Sequence, residues 1–420
     1  MINQSRTARK PSTQDVSSNA CHGPESNGAP IEPHRQRALD LVMELMAIPG
    51  TSGEEAEIAQ RITERLLEAG APRDSIQSDQ AHRRSKLKGN VGNLVFKLPG
   101  TLRKPRRMLM AHMDTVPLCI GSKPVLKNGW VHSSDPATGL GADDRAGSAV
   151  VLNTALEILR QKLPHPPLTF FWTVQEEVGL LGARHANLGM LGRPRLAFNW
   201  DGGPAEKITL GATGAYRLEV KITGLASHAG GAPEQGISAI SVAGLAIADL
   251  QRNGWHGDVH KGNQHGTSNI GFITGGRATN VVTPEVRLRA ECRSHDPKFR
   301  ARILREFENA FRRAAREVRS VDRQQGQVEI HSEMDYDAFK LPDNEPAILA
   351  AEAAIASLGH QPVRAVCNGG LDANWMTVRG LPTVTMGCGQ QNVHTVAERL
   401  DVAAFHTACR VGLRLAMGIE

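Results

Sequence analysis

Over most of this chain, apolar runs with the length of buried strands alternate with longer segments of helical periodicity. That alternation restricts the fold to an α/β sheet with helices on both faces. NLVFKL (93–98), RRMLMAH (106–112) and LTFFWTVQ (168–175) have the character of strands, and RAGSAVVLNTALEILRQKL (145–163) that of a long apolar-faced helix. Leu39, Val42, Met43 and Met46 fall at i, i+3, i+4 and i+7, which predicts a helix beginning near Arg35. IPGTSGEE breaks it. Ser52 with Glu55 three residues on has the pattern of a capping box and predicts a second helix to about Ala69.

After about Gly211 the pattern changes. AYRLEVKITG is a strand, ISAISVAGLAIADLQ a helix, SNIGFITGG and EVRLRAECRS two strands, PKFRARILREFENAFRRAAREV a helix and QVEIHSEM a last strand. The order β-α-β-β-α-β is that of a ferredoxin-like split unit. The α/β alternation then resumes with EPAILAAEAAIASLG, LPTVTMG and a final helix near Leu400–Met417. The expected organisation is one mixed-sheet, three-layer domain over 34–210 and 334–420, interrupted by an inserted domain over 211–333. Residues 1–33 are rich in Ser, Asn, Gly, Pro and Gln without periodicity, and are expected to form a disordered tail.

Composition narrows the function. Hydrophobic residues at 40% suffice for a large core, and no apolar run approaches the roughly 18 residues of a membrane span. A net charge of +6 over 420 residues is a mild excess, and aromatics at 4% argue against a base-stacking surface. Neither a nucleic-acid nor a membrane partner is expected. Arg300, Arg302, Arg305, Arg312, Arg313, Arg316 and Arg319 crowd one helix, and read as its solvated outer face. Cys21, Cys119, Cys292, Cys367, Cys388 and Cys409 form no CxxC pair, which suggests reduced core thiols and a cytoplasm-like compartment.

The chemistry is carried by acids and histidines at the ends of apolar strands, where α/β sheets form their sites. MLMAHMDTVP places His112 and Asp114 two apart, on one face of a strand end. Asp114 is then available to a second nitrogen of a metal-binding His112. GLGADDRAG puts Asp143 and Asp144 at a loop-to-helix junction, FFWTVQEEVG brings Glu176 and Glu177, LAFNWDGG brings Asp201, and GQQNVHTVAERL brings His394. Taken singly, these are a helix cap, a solvated acid pair, a turn residue and a surface histidine. Taken together, they bury several carboxylates that need compensating charge, and clustered divalent cations supply it.

These motifs in this order resemble the dinuclear zinc exopeptidases, a superfamily that includes tripeptidase T, glutamate carboxypeptidase and acetylornithine deacetylase. GADDRAG, GGRATNVV, AECRSHD and NGGLDAN are most similar to its peptidase T-like branch. The resemblance covers roughly Arg35 to the end. It implies two divalent ions, with His112 and Asp201 on one, Glu177 and His394 on the other, and Asp143 bridging. Asp143 is preferred to Asp144 because the family's bridging Asp lies two before a basic residue, here Arg145 where the family usually has Lys. It also implies a cis peptide bond after that Asp. Zinc suits the mixed donor set, and manganese or cobalt also fit. Glu176 is implied as the base that takes a proton from a water bridging the metals and passes it to the leaving amine. His228, in GLASHAG, is implied as an oxyanion donor that in some relatives comes from a partner subunit, so a homodimer through the inserted domain, a lid and dimerisation element, is envisaged. Asn280, Arg293, Gly370 and Asp372 match substrate-holding positions, with Asp372 as the anion for a free α-amino group and Arg293 as a fork for a carboxylate. The function so implied is hydrolysis of a peptide bond in short peptides, as an aminopeptidase. A deacylase or carboxypeptidase of the same superfamily, and a non-catalytic binding protein on the same fold, are the alternatives.

Overall fold

A computed structural model describes residues 31–420 of the chain. Most of the expected tail therefore lies outside the described residues. Among those residues a nine-stranded mixed sheet forms the frame. Four neighbouring strands, Leu168–Thr173, Arg107–His112, Leu196–Trp200 and Thr383–Met386, run parallel. Their carboxyl ends consequently open along one edge.

These strands are buried along nearly their whole length and mostly apolar because helices cover both faces. Within Arg107–His112, Leu109 and Ala111 enter the larger core, and Met108 and Met110 a smaller one on the opposite side. Phe170 and Trp172 divide from Phe171 in the same way. The larger core takes in the helices Arg35–Ala47, Ala142–Gln161 and Val402–Met417, and the smaller one Leu181–His185 and Asp372–Val378. Ala142–Gln161 is flanked by two helices as well as the sheet, so residues 142–158 are buried all round rather than on one face.

A second sheet has its own core. Its order is Gly257–Lys261, Gln264–Gly275, Glu285–Ser294, Gly214–Thr223, Gln327–Tyr336, with the helices Ala239–Arg252 and Pro297–Glu317 packed against it. The four longer strands have the ferredoxin-like arrangement. The short edge strand Gly257–Lys261 is an addition that its polar sequence does not signal. A third small sheet joins Pro124–Lys127, Trp130–Ser133, Arg399–Asp401 and Gln390–Gln391. The Arg399 guanidinium lies 3.9 Å from the Trp130 ring centroid and ties two of its strands together. Among the described residues no helix is long and apolar enough to cross a membrane.

Two sequence expectations are corrected. Neither Ser52 nor Glu55 caps the Ala56–Glu68 helix, because both are drawn to distant partners described below, and the Asn90 side chain accepts from Ala56 N instead. The arginine-rich helix presents most of its guanidinium groups to solvent, but Arg300 is buried and pairs with Asp337 through Nη2 while Nη1 reaches the Ser294 carbonyl. On the same helix Phe307 is fully buried in the second core. Phe307→Ala should therefore cost about 3–5 kcal/mol, read as a lowered urea midpoint. A change below about 1 kcal/mol would mean that this helix is not anchored through its apolar face.

Candidate metal centre and its supports

The parallel strands deliver their next residues to one place. His112 ends Arg107–His112, Asp201 follows Leu196–Trp200, and Glu176 and Glu177 lie just beyond Leu168–Thr173. His394 comes from the loop between the small-sheet strands Gln390–Gln391 and Arg399–Asp401. Asp143 stands at the start of the central helix, with non-helical backbone angles and a cis bond to Asp144.

Asp143 is the pivot. One carboxylate oxygen lies 3.2 Å from His112 Nε2 and the other 3.2 Å from His394 Nε2. His394 Nε2 is also 3.0 Å from Glu177 Oε2. Donor atoms converge in two groups that share Asp143: His112, Asp143 and Asp201, then Asp143, Glu177 and His394, each within 4.8 Å. Glu176 belongs to neither group but lines the same cavity, of about 440 Å³.

Other carboxylates hold these groups through backbone N–H donors. Asp114 accepts from the amides of Glu176 at 3.0 Å and Glu177 at 3.2 Å, and from Ser52 Oγ at 2.6 Å. It also lies 3.5 Å from His112 Nδ1, which leaves Nε2 directed at Asp143. Asp144 has both oxygens engaged, by the amides of His112 and Gly147. Glu398 accepts from Gly141 N at 2.7 Å and Asp143 N at 3.0 Å. Glu55 accepts from the amides of Gly53 and Gln175, and the Gln390 amide donates to Asp201.

The electrostatics are unfavourable without a cation. Burial, compounded by the nearby Asp143 charge, pushes the Asp201 carboxyl up to about 7. Burial lifts Glu176 well above the usual carboxylate range, with Asp201 and Asp372 adding to the effect. Hydrogen bonds to Asp143 and Glu177 raise His394 to about 10. Among the described residues, the ion pairs reaching Asp143 and Glu177 come from these two imidazoles alone, with no Lys or Arg. Two imidazole nitrogens and three carboxylates, clustered and short of positive charge, fit a pair of divalent cations.

The other expected site residues divide. Arg293 and Gly370 line the cavity, as do Lys207, Arg217 and Tyr336. The Arg293 fork is already occupied, with Nε and Nη2 on the two Glu291 oxygens at 3.0 and 2.9 Å. A side chain at Gly370 would collide with the Tyr336 ring at 2.4 Å. Asp372 does not reach the cavity: as the first residue of its helix it turns inward, is 1% exposed and accepts from Thr173 Oγ1. His228 and Asn280 lie together on exposed loops of the second sheet and are absent from the lining around Glu176. His228 Nδ1 accepts from the amides of Gly230 and Gly231, which leaves Nε2 as the protonated nitrogen and a donor.

Glu398, Glu55 and Gln390 were not foreseen. An acid four residues after His394 gives no local sign that it will bind amides some 255 positions earlier in the chain. Glu398→Ala should leave the Asp143 and Gly141 amides buried and unpaired. Metal affinity should fall about 10- to 100-fold with secondary structure retained, as measured by metal titration and circular dichroism. Unchanged affinity would show that Asp143 is positioned without it.

Comparison with known proteins places this geometry in a family. Residues 108–418 match the peptidase family M20/M25/M40. An uncharacterized protein of Bacillus subtilis, YqjE, is 31% identical over 88% of this chain and 94% of its own length. A tripeptidase from Staphylococcus aureus superposes with a TM-score of 0.82 at 32% identity, covering 92% of this chain and 98% of that one. The aminopeptidase PepT of Bacillus cereus gives 0.77 at 29% identity over the same shares. The chain is a metallopeptidase and belongs to peptidase family M20/M25/M40.

Proposed function

We propose that the protein is a di-metal aminopeptidase acting on short peptides. The observation that carries this reading is the cavity in which Asp143 joins two His–carboxylate groups while Glu176 stands free beside them. Two divalent cations, when bound, supply the Lewis acidity that makes a water nucleophilic and polarises a carbonyl. His112, Asp143 and Asp201 would hold one, and Asp143, Glu177 and His394 the other. Zinc suits these donors, with manganese and cobalt as alternatives.

The chain's own residues do the rest. Asp114 fixes the backbone of both glutamates, so that Glu177 faces His394 and Glu176 remains available for proton transfer. Glu176 takes the proton of the attacking water and returns it to the leaving amine. Lys207 lines the cavity and favours a substrate with a free carboxylate, whereas Arg293 and Arg217, which line it too, are held by Glu291 and Asp335. A neighbouring cleft of about 740 Å³ shares Arg217 with it and gives room for the distal end of a short chain. The similarity to a tripeptidase and to PepT supports peptides over N-acyl amino acids.

His228 donates to the oxyanion when it reaches the scissile carbonyl, by closure of the second sheet as a lid over the cavity or from a second copy of the chain. We place the enzyme in the cytoplasm, in keeping with free thiols at Cys119, Cys292, Cys367, Cys388 and Cys409.

Chelation should abolish activity, and readdition of Zn2+, Mn2+ or Co2+ should restore it; full activity in protein shown by elemental analysis to be free of metal would end the metal reading. Glu176→Gln should keep metal content and fold while kcat drops about 10²–10⁴-fold. His228→Ala should lower kcat by about 10²-fold with little change in KM. Mixing those two inactive variants should recover part of the activity if His228 acts from a partner copy, and none if it acts within its own chain. The substrate assignment is tested by kcat/KM for a free tripeptide, its N-acetyl form and an N-acyl amino acid. Faster turnover of the acylated compounds would replace the aminopeptidase with a deacylase.

A further inference from the structure

Gly257–Lys261 and the start of Gln264–Gly275 form a hairpin at the edge of the second sheet. Its two-residue loop has Gly262 at φ +62°, a left-handed angle that glycine adopts readily and that tight hairpins require. The turn fixes the register, with Lys261 opposite Gln264 and His260 opposite His265. Side chains alternate along the strand: Val259 is buried in the core, while Asp258 and His260 face solvent.

On that outer face the two imidazoles stack, with centroids 4.5 Å apart and planes at 27°. Both present Nε2 to one carboxylate. His260 Nε2 is 3.0 Å from Asp258 Oδ2, and His265 Nε2 is 2.8 Å from Oδ1. One oxygen of Asp258 and one ring nitrogen from each histidine all lie within 4.8 Å of one another. Metal–ligand bonds of about 2.0–2.2 Å place neighbouring donor atoms about 3 Å apart, so the three atoms already stand near coordinating distance. Cross-strand pairing holds them there without a long loop to order.

We propose that Asp258, His260 and His265 form a second metal site, separate from the cavity that contains Asp143, which takes a borderline transition-metal ion such as Zn2+, Ni2+ or Cu2+. Two imidazole nitrogens and one carboxylate select these ions over Mg2+ and Ca2+, which require an oxygen shell. The site is open to solvent, with His260 63% and His265 43% exposed, so water completes the coordination. The ion joins the two strands of the hairpin and stiffens a sheet edge whose free backbone groups otherwise invite pairing with another chain.

The test uses tag-free, full-length protein with its catalytic centre first saturated with Zn2+, then titrated with Cu2+. The wild type should bind one more ion per chain than His260→Ala/His265→Ala, with a two-nitrogen signature in the Cu2+ electron paramagnetic resonance spectrum. Asp258→Asn should weaken that ion at least about tenfold. All three side chains are exposed, so hydrolytic activity should be unchanged in these variants. Asp143→Ala, which removes the carboxylate shared by the cavity groups, should still bind the extra ion. Equal stoichiometry and affinity in the double variant, or loss of this ion in Asp143→Ala, would overturn the proposal.

Discussion

Carboxylates too close together to remain charged unaided crowd the carboxyl edge of the main sheet, and much of the surrounding structure holds them there. The inner members are Asp143, Glu176, Glu177 and Asp201. Asp114, Asp144, Glu398 and Glu55 surround them and accept backbone amides from the loops that carry them. A carboxylate that accepts amide N–H groups keeps its charge at lower cost than one facing apolar atoms. The outer set supplies geometry through those amides, yet burial still raises the Asp144, Glu55 and Glu398 carboxyls, so unmet charge extends beyond the inner set. The parallel strands matter for the same reason, since only parallel neighbours bring successive strand ends to a single edge.

Glu176, Glu177 and Asp201 were legible in the sequence because they follow apolar runs whose ends hydrophobic pattern locates, whereas Asp143, at a loop-to-helix junction, was legible only through the GADDRAG motif. In the outer set Asp114 was legible as a partner of His112, but Glu398 and Glu55 were not. Glu398 lies in a loop with no periodicity, and its partners are amides, which have no residue identity for a sequence to reveal. Ser52 and Glu55 have the spacing of a local cap, yet Asp114 and Gln175 compete successfully for them across the fold. NGGLDAN does not tell which way the first residue of a helix turns: Asp372 is buried against Thr173, while two residues earlier Gly370 lines the cavity. Arg300 shows the same limit, since one guanidinium in a basic helix faces Asp337 and not solvent for reasons that lie 37 residues away.

The second sheet was legible as a topology and less so as part of a site. Its four long strands and two helices follow simple periodicities, whereas the polar edge strand Gly257–Lys261 reads as loop. His228 and Asn280 sit on its loops, and Arg293 on one of its strands reaches the cavity. One face of the catalytic cavity is thus built from an element whose core is separate from that of the main sheet.

The two groups that share Asp143 differ in their access to water. His112 is 2% exposed at a strand end, while the His394 side chain is 50% exposed, at φ +63° in a loop of the small sheet. A cation held by the His394 group would lie nearer solvent than one held by the His112 group, so the two positions would not be equally shielded.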